Sequence, residues 1–89
     1  MERVIIKTLS ESEKEQLGIH EWPVWEKEIS RFDYTYEETE HCCFIDGEVV
    51  IETENDVYFI KAGDFVTFVA GLHCTWDIKK QVKKHYNFE

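Results

Sequence analysis

The chain has 89 residues, of which 43% are hydrophobic and 15% aromatic, and its 19 acidic and 10 basic side chains leave a net charge of −9. That is the length of one domain with enough apolar mass for a packed interior, which excludes intrinsic disorder. The basic residues are scattered and outnumbered, so a phosphate backbone would be repelled and nucleic acid is excluded as a partner.

In chain order, Val4-Ile5-Ile6-Lys7 reads as a short strand. Ser10 then opens a helical turn with Glu13 at capping-box spacing, and Gly18 ends it as a left-handed cap. So short and acidic a helix needs to dock Leu9, Leu17 and Ile19 on the body of the protein. Pro23, the one proline, sits between Trp22 and Val24 and forces an extended link that cannot lie in a central strand.

From Val24 onward the pattern is almost wholly β. Trp25, Lys27, Ile29 and Arg31 alternate with Val24, Glu26, Glu28 and Ser30, neither set cleanly apolar. Phe32, Tyr34 and Tyr36 form a clear half-buried face. Further strands are expected at 40–45, 48–54, 57–61, 65–69, 74–79 and 82–88. Turns are expected at Asp46-Gly47, Asn55-Asp56, Ala62-Gly63-Asp64, Ala70-Gly71-Leu72 and Lys80-Gln81. Short strands about ten residues apart predict an all-β, antiparallel jelly-roll barrel with a short N-terminal helical turn. Residues 1–89 then form a single domain, with 1–23 an N-terminal arm and 24–89 the barrel. No apolar run approaches the roughly 18 residues of a membrane span, and Met1-Glu2-Arg3-Val4 lacks a signal-peptide pattern. The expectation is a soluble, cytoplasmic chain with no membrane contact.

Alternation also assigns an interior. With Glu40 pointing in, Cys42 and Phe44 follow, while His41, Cys43 and Ile45 face the other way. With Cys74 in, Trp76 and Ile78 join it. Val82, Lys84, Tyr86 and Phe88 share one face of the last strand. The expected pocket carries Tyr34, Tyr36, Glu40, Cys42, Cys74, Trp76 and Lys84. A lone carboxylate such as Glu40 on a core face needs a reason.

Two segments carry a family resemblance. Glu40 stands six residues before Gly47, and Gly63-Asp64 is followed by Gly71 and then Cys74. This spacing resembles the two motifs of the cupin superfamily. More closely, the chain resembles small single-domain cupins related to the cupin domain of ureidoglycine aminohydrolase, on Trp22-Pro23-Val24-Trp25-Glu26-Lys27-Glu28, Glu40-His41-Cys42-Cys43, Gly47-Glu48-Val49, Gly63 to Trp76, and Val82-Lys83-Lys84-His85-Tyr86. The resemblance implies a metal-binding glutamate at Glu40. It places Tyr34 and Tyr36 where that family keeps two histidines, Val69 where it keeps a proline, and Cys74 at the third histidine position.

Three functions follow. In the first, Glu40 lies in a metal-free pocket walled by Phe32, Tyr34, Tyr36, Trp76 and Tyr86, where it acts as a general base or holds a cationic group of a small ligand. In the second, Glu40 and Cys74 hold a divalent metal (zinc, iron or manganese) for an enzyme acting on a small nitrogenous metabolite. Tyrosine opposes this second case, because ionising it near neutral pH takes a strong Lewis acid. In the third, the aromatics simply fill the barrel of a structural homodimer.

Cys74 and His73 point to opposite faces, which argues against a nucleophile–base pair. Three cysteines without a CxxC pair, Cys42, Cys43 and Cys74, support neither a disulfide framework nor a structural zinc site, and buried apolar filler is their ordinary role. Trp22 and Trp25 either mark a homodimer surface or belong to an arm that wraps its own barrel.

Overall fold

A computed structural model describes residues 3–89; Met1 and Glu2, part of the N-terminal signal-peptide reading, lie outside the described residues. Seven strands and one helix follow in order: β1 Val4–Lys7, α1 Glu11–Leu17, a 3₁₀ turn at Ile19–Glu21, β2 Val24–Lys27, β3 Ser30–Thr35, β4 Glu40–Glu52, β5 Val57–Lys61, β6 Phe65–Phe68 and β7 His73–Phe88. Every pairing is antiparallel. No helix among the described residues is long and apolar enough to cross a membrane.

The two long strands β4 and β7 run side by side from Glu40↔Phe88 to Glu52↔Thr75 and organise everything else. Around their first half the order is β1-β6-β4-β7-β2. Around their second half, β5 flanks β4 and β3 flanks β7. Both halves contribute to one core, with Val4, Cys42, Phe44, Val66, Phe68 and Val82 from the first and Val49, Ile51, Ile60, Cys74, Trp76 and Ile78 from the second. The result is the expected jelly-roll barrel.

Two expected turns are absent. Asp46-Gly47 and Lys80-Gln81 lie inside β4 and β7, where the register shifts between Phe44 and Val49 mark bulges rather than chain reversals. Gly47, at φ +103°, is forced by contact. A Cβ there would lie 2.4 Å from the Gln81 carbonyl oxygen and 2.7 Å from the Val82 Cα. At this crossing the two strands press together and the sheet bends over itself.

The N-terminal segment is more than an arm. β1 pairs with β6 and sends Val4 into the core, so the barrel begins well before Val24. Ser10 and Glu13 form the expected capping box, and Gly18 caps α1 at φ +69°. The residues flanking the helix cover the outer face of the first half, where Leu9 and Ile19 join Cys43 and Phe65 in a second small core against Trp22, while α1 itself buries no side chain. Leu17 was expected to dock with them and instead stays half exposed. Within the chain, Trp22 packs near Phe65 and Trp25 near Trp76.

Candidate functional site

The site is assembled across the bend. Trp76 and Lys84 are both on β7, eight residues apart, which is roughly 26 Å on a straight strand at about 3.3 Å per residue. Yet the Lys84 ammonium lies 4.8 Å from the Trp76 ring centroid. Only a sheet folded over at the Gly47 crossing brings them together.

Glu40 opens β4 and is paired on both sides, with Phe68 of β6 and Phe88 of β7. Its inward side chain leaves the residue 6% exposed, and Lys84 is 4% exposed. The Lys84 ammonium donates to Glu40 Oε2 at 3.3 Å and to the Cys42 sulfur at 3.1 Å. It also lies over the rings of Trp76, Trp25 (5.0 Å) and Phe44 (5.9 Å). An isolated buried charge is costly, so each member of this pair supplies the reason the other is tolerated. The aromatic faces add cation–π attraction on the sides that carboxylate and sulfur leave open.

Beside the pair stands Tyr36. It lies just past β3, where Tyr36 N–H donates to the Leu72 carbonyl (2.8 Å) and Gly71 N–H donates to the Tyr36 carbonyl (2.7 Å), fixing its direction. Its ring stacks on Phe68, and its hydroxyl accepts the Trp76 indole N–H at 3.2 Å. Burial, reinforced by the neighbouring Glu40 carboxylate, pushes the Tyr36 phenol well above its ordinary range, so it stays protonated.

These groups border a cavity of about 240 Å³. Tyr36, Glu40, Trp76 and Lys84 form its deep wall, and Trp25 and Phe32 its flanks. Tyr34 and Phe88, near 40% exposed, lie at its rim with Tyr86. Of the residues expected from sequence, Tyr34, Tyr36, Glu40, Trp76 and Lys84 meet here. Cys42 and Cys74 do not line the space. Cys42 is covered by Lys84, while Cys74 is packed in the core with its thiol pushed up to about 11, chiefly by burial. Burial likewise pushes the Cys42 thiol up to about 12, so both are inert thiols rather than thiolates.

Trp25 and Phe88 were missing from the expected pocket. Phe88 shares a face with Lys84 and Tyr86, a signal available in the alternation. Trp25 faces Lys84 across the β2–β7 pairing, and nothing in its mixed strand announces that register. A larger hollow of about 460 Å³ beside the β4–β5 turn is bordered largely by exposed residues such as Glu54, Asn55, Asp56 and Gly71, and it holds no buried charged group.

The model of the EutQ-like cupin domain matches residues 14–86. The chain belongs to this cupin family. A crystal structure of a DUF861 family protein from Thermotoga maritima is similar over 97% of this chain and 99% of its own, at 40% identity and a TM-score of 0.95. EutQ of Clostridium difficile aligns with 96% of this chain and 66% of its own at 18% identity and a TM-score of 0.68. A Salmonella typhimurium protein described as a putative ethanolamine utilization protein aligns with 96% of this chain and 68% of its own, at 20% identity and 0.67. The likeness to these last two is one of fold. No curated protein matches the chain.

The cupin resemblance implies a metal at Glu40, and the residues present do not fit one. Among the described residues no three His, Cys, Asp or Glu side chains gather closely enough to hold an ion. Tyr36, at a histidine position, keeps its proton. Cys74 lies off the cavity wall. The carboxylate that would bind the metal already holds the Lys84 ammonium. This cupin carries its cation on its own chain.

Proposed function

We propose that this cupin binds a compact small molecule in its barrel without a metal. The observation that carries the proposal is the cavity itself, an apolar-walled space whose deep end carries a buried Lys84–Glu40 pair. At about 240 Å³ it is smaller than the 300–1,000 Å³ typical of drug-sized ligands, yet larger than the roughly 150 Å³ that holds benzene in an engineered core. A single substituted ring, or something of like bulk, fits. Aromatic walls supply the apolar contact, and the few polar groups at the deep end fix orientation.

The metal-dependent alternative, acting on a nitrogenous metabolite of the ureidoglycine type, rests on motif likeness and is opposed by Lys84. The filled-barrel alternative is opposed by the space.

Protein-observed NMR with a panel of single-ring compounds tests the proposal. The indole N–H resonances of Trp25 and Trp76 should shift together and saturably with at least one compound. If no compound moves either indole, the proposal fails and the barrel is structural.

A further inference from the structure

Every wall residue except Lys84 and Glu40 is uncharged, and those two cancel. The ammonium has already committed itself to Glu40, to Cys42 and to aromatic faces. An anionic ligand would therefore meet the Glu40 carboxylate without a free counter-charge, inside a protein that already carries −9. A cationic ligand would find the place beside Glu40 occupied by Lys84. Either would bring an uncompensated charge into an apolar space, which is costly.

The Tyr36 hydroxyl adds a second constraint. It accepts a hydrogen bond from Trp76, but its own proton has no acceptor among the described residues. The residue is 1% exposed and borders the cavity. A buried donor of this kind asks for an acceptor, and the cavity is the place left to supply one.

Resting on the metal-free pocket proposed above, we infer that its ligand is a neutral, ring-sized molecule bearing an acceptor oxygen, such as a carbonyl, that takes the Tyr36 O–H hydrogen bond. The ring lies against Trp25, Phe32 and Trp76. The ion pair serves as a fixed dipole at the deep end and is not consumed as a counter-charge.

Four probes of similar size separate the possibilities by NMR titration at neutral pH: benzamide, toluene, benzoate and benzylammonium. Benzamide is expected to bind about tenfold more tightly than toluene, the worth of one good hydrogen bond. Benzoate and benzylammonium should be weaker than benzamide by about tenfold or more. Tyr36→Phe should bring benzamide down to the level of toluene while leaving toluene binding unchanged, which also reports that the variant is folded. Should that variant fold poorly, the ranking of the four probes on the native protein decides alone. If benzoate or benzylammonium binds most tightly, or benzamide no better than toluene, the inference is overturned while the pocket stands. If none of the four binds at all, the pocket itself has failed.

Discussion

Gly47→Ala is expected to destabilise the protein by at least about 3 kcal/mol and to lower Tm by roughly 12 °C or more. Two costs combine. A φ of +103° lies where L residues are strained, and the added Cβ would press into the β7 backbone at Gln81 and Val82, which cannot rotate away. Gly63→Ala provides the control. Its φ is +97°, but nothing lies within 4 Å of its would-be Cβ, so only the strain of about 1–3 kcal/mol applies. Thermal and urea melts of the two variants should differ clearly. Equal losses would mean that β4 and β7 do not press together at the bend. The consequence reaches the site, because this bend is what carries Trp76 back over Lys84.

Lys84→Met is expected to cost about 3–5 kcal/mol, since it strands the Glu40 carboxylate in an apolar surround. For a domain whose total stability is of the order of 5–15 kcal/mol, that is a large share. Combining Lys84→Met with Glu40→Met should recover most of the loss, because removing a buried pair together is often neutral or stabilising. Urea denaturation of the two single variants and the double variant measures the coupling. If the losses simply add, the two side chains are not a pair in solution, and the internal-cation account fails.

The expected and observed structures agree where a purely local signal sufficed. Alternation placed Glu40, Cys42 and Phe44 on one face, and Lys84, Tyr86 and Phe88 on another. Both assignments hold because a strand's two-residue period survives whatever the strand pairs with. The capping box at Ser10 and the left-handed Gly18 are equally local.

The misreadings came from information carried by partners. Asp46-Gly47 is a turn signal in isolation, and only the Gln81–Val82 backbone opposite it makes it a bulge. Trp25 enters the site because β2 pairs with β7 in one register, which its mixed alternation does not declare. Cys74 shares the inward face with Trp76 yet misses the cavity, because a short side chain ends in the core where a long one reaches the space. The runner-up metal reading rests on local signal in the same way. A motif places Glu40, but the residue that answers it lies forty-four positions away on β7.

Lys84 holds the Glu40 carboxylate to which the cupin motif assigns a metal. Anomalous diffraction from crystals soaked in zinc and then in manganese tests it most directly. No anomalous peak is expected beside Glu40, and the Lys84 ammonium should show density within hydrogen-bonding distance of Oε2. A metal peak in reach of the Glu40 carboxylate, with Lys84 swung away, would contradict it.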